Sequence, residues 1–431
     1  MLSWASRFRL RQRIRASLWV VPLLGLVLGS VLAQCAIAAE GATWVPTSWR
    51  YSAATASGVL AAIVGAMVGL LGFVVTIGVL VVQQATGTLS PRYMRLWYRD
   101  RLQKAVLATF TGTFAFAFSL LRSIEPHAVP DLGVTLAGLA VAVSLVLLLV
   151  YLNRFTHNLR PVAIADLVGR LGREVLCRAM TAARGPVPAD GAPALPDGPV
   201  TPVRSELGGA IQAFDVAGLR ATAVRYDCVL VLTHPVGDFV PPGTVLVEVH
   251  GGGPLPDPRR VTGRIALGAE RTVEQDPAFA LRVLVDIAIR ALSPAVNDPT
   301  TAVQVLNHIE AFLHVVGGAE LRHRHVLTGA DGRPRLVVPG RTWEDYLQLA
   351  VTEIREYGAS SLQICRRLRA LLEGLLAALP AGRRPAVRAE LTRLDASVDR
   401  AFPDPVRRAT ARTGDRQGIG GGHRPGAVPP A

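Results

Sequence analysis

The sequence predicts an α-helical membrane domain of four spans, followed by a cytoplasmic α+β region made of a small β module and a helical domain. Three observations predict it. Half of the 431 residues are hydrophobic, and the excess is concentrated between residues 16 and 152 in four apolar stretches, each long enough to cross about 30 Å of hydrocarbon. Arginines crowd the flanks that would face the cytoplasm. From about residue 204 onward, apolar residues recur at intervals of two and of three to four, the marks of half-buried strands and amphipathic helices.

Residues 1–15 form a basic cytoplasmic N-terminus carrying Arg7, Arg9, Arg11, Arg13 and Arg15. The membrane domain, 16–160, opens with a span at 16–38. Its Ala36-Ile37-Ala38 resembles a leader cleavage site, but the apolar run is longer than a leader core, so an uncleaved anchor is expected. The second span, 53–82, leads into a basic loop with Arg92, Arg95, Arg99, Arg101 and Lys104, the only lysine. Spans three and four, 105–121 and 132–152, are joined by a turn with Pro126 and Pro130, and Arg154 and Arg160 follow. All three basic flanks agree on a multi-pass protein of the bacterial inner membrane with both termini inside.

The second span carries Gly65 and Gly69 at GxxxG spacing, with Ala61 one turn before and Gly72 close behind. Such small residues let helix backbones approach where lipid removes the hydrophobic drive for association. Packing within the four-span domain is the expected use, and an oligomer seam or pore lining is the alternative. No Asp, Glu, Lys or Arg lies inside a span, which argues against a proton-coupled carrier and leaves a passive pathway open. Ser90, Pro91 and Arg92 form a candidate coupling point between membrane and cytoplasm, because Pro91 stops the helix and Arg92 can meet lipid phosphate.

Residues 161–203 read as a helix and a Pro/Gly-rich linker. The β module, 204–268, has β-branched runs at 210–214, 228–233 and 244–249, turns at Gly237-Asp238 and Pro241-Pro242-Gly243, and a helix at 216–225. Its GDFVPPGTVLVEV is similar to the turn and strand of barrel-sandwich hybrid domains, without a carrier lysine. The helical domain, 269–402, begins with helices at 277–292 and 299–315 around a turn. Asp298 is placed to cap the second helix and Pro299 to start it. Three amphipathic helices follow at 343–357, 360–378 and 385–402, and residues 403–431, rich in Gly, Pro and Arg, are expected to be disordered.

The segment RTVEQDPAFALRVLVDIAIRALSPAVNDPTTA, residues 271–302, resembles the signature of the bacterial predicted membrane protein family called domain of unknown function 2254. TLSPRYMRLWYRD, GTFAFAFSLLRSI and GDFVPPGTVL resemble the same family in the same order. The resemblance implies a multi-pass membrane protein with a cytoplasmic domain and carries no activity with it. Within the long motif, Arg271, Asp276, Arg290, Ser293, Asn297, Asp298, Thr300 and Thr301 are candidates to bind an anionic ligand beside a helix N-terminus. The competing structural reading gives Asp298 and Ser293 to helix caps and pairs Arg290 with Asp286.

Other classes are disfavoured. The net charge of +14 is spread over helices that also carry Glu and Asp, with no basic and aromatic stripe to stack bases, so no nucleic acid is expected. Cys35, Cys177, Cys228 and Cys365 form no CxxC pair, and the histidines near His308, His314, His323, His325 and His250 lack zinc spacing. Gly251-Gly252-Gly253 lacks the Lys-Ser/Thr of a phosphate loop. No cofactor, metal or catalytic residue is expected. The expectation is a non-enzymatic protein with the lipid bilayer and further copies of itself as partners, working as an oligomeric passive channel or transport protein regulated by its cytoplasmic domain. A membrane-anchored sensor or scaffold without a pore is the alternative, and an envelope or lipid enzyme the third reading.

Overall fold

The computed structural model describes residues 3–39, 50–88, 100–126, 128–158, 161–182, 195–196, 199–251 and 257–420. They form two bodies, one of Gln12–Arg160 and one of Met1–Arg11 with Pro161–Ala431.

The first helix, α1 (Trp4–Ala16), is followed by the four spans α2 (Val20–Ala38), α3 (Ala53–Thr88), α4 (Arg101–Leu121) and α5 (Asp131–Asn158). All four are long and apolar enough to cross a membrane. Helix α4 is the hub. Near one end, its Val106 and Phe110 pack with Val74, Ile77 and Val81 of α3 and with Leu148 and Tyr151 of α5. Further along, Phe116, Ala117 and Leu120 meet Ala33 and Ala36 of α2, Leu60 and Met67 of α3, and Val134 and Ala137 of α5.

Two kinds of contact fix these helices. Gly25 and Gly29 of α2 lie directly against the backbone of Ala108 and Gly112 of α4, and a Cβ at Gly29 would collide with the Gly112 carbonyl. Thr111 Oγ1 crosses the same seam to the Pro22 carbonyl at 2.8 Å. Interhelical polar bonds supply the rest, since lipid offers no competing partner. Thr113 and Ser144 hydroxyls meet at 3.3 Å, the Tyr51 amide donates to Asp131 at 2.9 Å, and the Tyr51 hydroxyl lies 3.2 Å from Thr135 Oγ1.

Helix α3 has two heptad faces. Ala56, Leu60, Ile63, Met67, Val74, Ile77 and Val81 form a buried seam. Two residues on, about 200° round the helix, Gly58, Ala62, Gly65, Gly69, Gly72, Thr76, Val79 and Gln83 are all exposed. Among the described residues nothing comes within 4 Å of a Cβ built at Gly58, Gly65, Gly69 or Gly72, and Ala61 is exposed as well. Packing of Ala61, Gly65, Gly69 and Gly72 within the chain is therefore not what the structure shows, because the larger residues on the opposite face make those contacts. Among the described residues of this body, the glycines that meet another helix's backbone are Gly25, Gly29 and Gly112.

The second body begins at α6 (Pro161–Ala182) and continues through β1 (Val200–Arg204), β2 (Gly209–Phe214), α7 (Val216–Arg225), β3 (Val229–Leu232), β4 (Phe239–Val240) and β5 (Val245–His250). It goes on with α8 (Arg259–Thr262), β6 (Ile265–Gly268), α9 (Pro277–Ala291), α10 (Pro299–Gly317), β7 (Arg324–Thr328) and β8 (Pro334–Pro339). The helices α11 (Trp343–Gly358), α12 (Leu362–Ala378), α13 (Arg384–Ala401) and α14 (Pro405–Ala411) complete it. One sheet runs β1-β5-β3-β8-β7 and the other β4-β2-β6. They enclose a shared core that includes Val203, Ile211, Phe214, Leu230, Leu246, Val249, Ile265 and Leu336.

Three boundaries differ from the sequence reading. The β module is completed by the β7–β8 hairpin from inside the helical domain, with β8 parallel to β3 through Leu230 opposite Leu336 and Val231 opposite Val337. Strand β1 falls in the stretch read as linker, paired antiparallel to β5. Of the stretch read as disordered, the part up to residue 420 forms α14 and then a turn in which Asp415 accepts the amides of Gln417 at 3.0 Å and of Gly418 and Gly420 at 2.9 Å, and residues 421–431 lie outside the described residues. The helix α6 is likewise no mere connector. Its Gly172 sits against Ala280 of α9 and Phe312 of α10, and Ile164, Ala165, Val168, Val175 and Leu176 are buried.

Gly29→Leu is expected to force α2 away from α4 and to cost about 1–3 kcal/mol through overpacking, read as a lowered thermal midpoint of the detergent-extracted monomer. Gly69→Leu, whose Cβ position is open, is expected to leave that monomer's midpoint unchanged.

Candidate functional site

The first half of the long motif builds the joint between the sheets and the helices. The chain from β6 to α9 runs alongside β2 and is fastened to it side chain by backbone. Gln212 Nε2 donates to the Glu270 carbonyl at 2.8 Å, and Gln275 acts as a substitute strand partner for Phe214, accepting its amide at 3.0 Å and donating to its carbonyl at 3.1 Å. Asp276, 2% exposed, then caps α9 by accepting the Phe279 amide at 3.1 Å, with Pro277 in the first helical position where no amide hydrogen is needed.

Arg271 closes the joint. Its Nε and Nη2 both donate to Asp276 Oδ2, at 3.0 and 2.7 Å, and its guanidinium lies 5.5 Å from the centre of the Phe279 ring. Gly237, in the β3–β4 turn with φ of 98°, lies so close to the pair that a Cβ there would strike Arg271 Nη2 and Asp276 Oδ2. Half-exposed groups surround it. Arg341 Nη2 is 3.9 Å from Asp238, whose other oxygen is 3.7 Å from His234 Nδ1. Burial pushes the Asp276 carboxyl up from its ordinary range, against the pull of Arg271 and Arg341. The buried Tyr346 hydroxyl is also pushed up, by burial first and the Asp276 charge second.

The second half of the motif lies at the other end of α9, about 22 Å away for a helix of 15 residues. Arg290 is in the last turn and half-buried. Ser293 Oγ donates to the Arg290 carbonyl at 2.7 Å, and the Asn297 amide returns to the Ser293 carbonyl at 2.8 Å. Asn297 has φ of 45°. Asp298 caps α10, accepting the Thr301 amide at 3.0 Å and the Thr301 hydroxyl at 2.5 Å, and Thr300 is exposed. The eight candidate ligand residues are thus divided, with Arg271 and Asp276 at one end and Arg290, Ser293, Asn297, Asp298, Thr300 and Thr301 at the other. They do not form one pocket. Asp286 is held by Arg282 at 2.7 Å, which also forks onto Glu353 of α11.

Ser90, Pro91 and Arg92 lie outside the described residues. Among the described residues no group of His, Cys, Asp and Glu is arranged to hold a metal, and none of the four cysteines is in a disulfide, with Cys228 and Cys365 buried. Two cavities lie away from the motif. One of about 640 Å³ is bordered by Arg366, Val406 and Thr413, and one of about 230 Å³ by Arg9, Ser205 and Arg259. The roles of Gln275, Arg282, Arg341 and Tyr346 escaped sequence reading, although Gly237 stood in a recognised turn.

A profile described as predicted membrane protein, DUF2254, matches residues 15–374. That range holds the four spans and the joint and stops before α13. An uncharacterized protein of Mycobacterium bovis and uncharacterized proteins of two Mycobacterium tuberculosis strains are each 30% identical over 439 residues, covering 97% of this chain and 83% of the relative. No solved structure matches.

Gly237→Ala combines a disfavoured backbone angle with a collision at the ion pair, and is expected to destabilise by about 1–3 kcal/mol, measured by thermal unfolding in detergent. Asp276 gives a pH signature. Because its folded-state acid is weaker than its unfolded one, the folded chain keeps a proton that the unfolded chain has released, so its contribution is present at low pH and is lost as pH rises through the raised value. Asp276→Asn keeps a competent cap and is expected to flatten that fall in midpoint between about pH 4 and neutrality.

Proposed function

The chain belongs to the family of predicted membrane proteins called domain of unknown function 2254, and from that premise we propose that it works as a homo-oligomer whose α3 helices meet along their small-residue faces and border a passive pathway across the bacterial inner membrane. The observation that carries this reading is the second heptad face of α3. An eight-residue lane from Gly58 to Gln83, spaced alternately by four and three, is open along its length while the opposite face is filled. A 3.5-residue repeat favours left-handed supercoiling against further helices, and glycine permits the backbone contact that supplies association energy in lipid. Thr76 and Gln83 give the lane neutral polar groups, suited to passage without proton coupling.

The soluble body regulates this pathway from the cytoplasm, in a topology with both termini inside. Support comes from the N-terminal segment, where the Ala5 amide donates to the Gly263 carbonyl at 2.9 Å and Ala5 packs with Ala213 and Ala266. These contacts support a reading in which residues before the first span and after the fourth lie on one side, as an even number of crossings requires. Anionic-ligand binding by the divided motif finds no support in its geometry, since its two halves face different neighbours.

Single cysteines at Gly65, Gly69 or Gly72, in a Cys35→Ala, Cys177→Ala background, are expected to cross-link between copies in native membranes, whereas cysteines at Leu60 or Met67 on the filled face are not. Purified oligomer in vesicles should release small ions down a gradient, and Gly69→Leu should abolish release. Cross-linking without conductance would favour the scaffold reading; no cross-linking from any lane position would overturn the oligomer.

A further inference from the structure

The cavity of about 230 Å³ lies inside the second body, where residues 3–9 meet the β1–β2 loop, α8 and β6. Local bonding shapes it. On one side Ser205 Oγ donates to the Leu207 carbonyl and accepts the Leu207 amide at 3.3 Å, which fixes the loop and leaves the Leu207 side chain 57% exposed at the rim. On the other side the Ala5 amide donates to the Gly263 carbonyl at 2.9 Å. A Cβ at Gly263 would lie 3.2 Å from Ser3 Cβ, so glycine there lets residues 3–5 come close. The floor is apolar, formed by the buried Leu246, Ile265 and Leu267.

The mouth is charged, with Arg9, Arg259 and Glu206 on it. Arg259 faces Glu206 at 3.4 Å, and both side chains are largely exposed, so water screens the pair. Arg9 is half-buried. It donates to the Ser6 hydroxyl at 3.3 Å and has no carboxylate partner among the described residues. Two guanidinium groups and one carboxylate thus leave one positive charge above an apolar floor.

We propose that this cavity binds a medium-chain aliphatic monocarboxylate, with the chain on Leu246, Ile265 and Leu267 and the carboxylate on Arg9 and Arg259. The charge at the mouth calls for a single negative group, and a guanidinium fork matches the two oxygens of a carboxylate. The floor offers no polar group for a sugar or a base, whereas an alkyl chain gains by leaving water there. Size agrees. At about 30 Å³ for each atom of water's size, a volume of about 230 Å³ takes roughly seven or eight non-hydrogen atoms, which is a short alkyl chain with its head at the opening.

The test photolyses full-length protein in phosphatidylcholine nanodiscs with octanoate carrying a terminal diazirine, and maps labelled peptides by mass spectrometry. Label is expected on the peptides that hold Leu246 and Ile265. Unlabelled octanoate should displace it, whereas acetate, which lacks the chain, and octylammonium, which has the opposite charge, should not. Competition should strengthen about three- to fourfold per methylene from pentanoate to octanoate. Arg9→Gln should weaken competition by octanoate about tenfold. Leu207→Asp, a change at an exposed position, should weaken it by like charge at the rim. Both variants should keep the wild-type thermal midpoint without octanoate, so the losses report binding and not folding. Displacement by octylammonium as effective as by octanoate would overturn the proposal, as would labelling unchanged in both variants. Label absent from those peptides and confined to the spans, as expected of a probe dissolved in the disc lipid, would overturn it too.

Discussion

One side chain organises the second body. Asp276 starts α9 by holding the Phe279 amide, receives both donors of Arg271, and does so beneath Gly237 in the turn between β3 and β4. Helix α9 is in turn the element against which α6, α10 and α11 lie. A buried carboxylate is costly unless its oxygens are satisfied, and here the Phe279 amide of the helix and the Arg271 guanidinium of the segment before it satisfy them, with a glycine turn packed against the pair. The joint therefore requires sheet and helices to form together. The Gln275 clamp on Phe214 extends the same requirement to β2, so the β module is not an independently placed appendage.

The membrane body obeys a different economy of contacts. Its spans satisfy their own backbone bonds, so what distinguishes one face from another is how near a neighbour can come. Helix α4 is the least apolar span and the most enclosed, and it accepts α2 at glycine distance and α3 and α5 through larger side chains. The two faces of α3 then differ in kind. One interdigitates larger side chains with α4 and α5, and the other presents small residues that no described residue covers.

Much of this was legible in sequence because it depends on local periodicity and local chemistry. The four spans, α7 at residues 216–225, and the caps at Asp298 and Pro299 follow from runs, breaks and cap residues close to one another. What escaped reading depends on distant partners. Strands β7 and β8 alternate imperfectly, with Arg324, His325 and Arg335 among the apolar residues, and are recognisable only once β3 offers Leu230 and Val231 as neighbours. The tail from residue 403 looked disordered by composition, yet Arg366 of α12 reaches the Thr413 and Gly420 carbonyls at 3.1 Å. A GxxxG spacing announces close packing without naming the partner, which is why Gly25 and Gly29 passed unnoticed while Gly65 and Gly69 were expected to pack within the four spans.

The same distinction decides what the long motif is for. Its polar side chains are committed within the chain: Thr272 lies 3.5 Å from the Gln212 carbonyl, Gln275 holds Phe214, Arg271 holds Asp276, Ser293 holds Arg290 and Asp298 holds Thr301. A donor or acceptor engaged in this way cannot also serve a ligand without leaving its first partner unsatisfied in a buried setting. Such a segment marks a joint that any variation in the surrounding sequence must respect, and its recognisability reflects structural demand. Chemistry directed outward has to use surfaces that intramolecular bonding has left open. Among the described residues, the small-residue lane of α3 is one such surface.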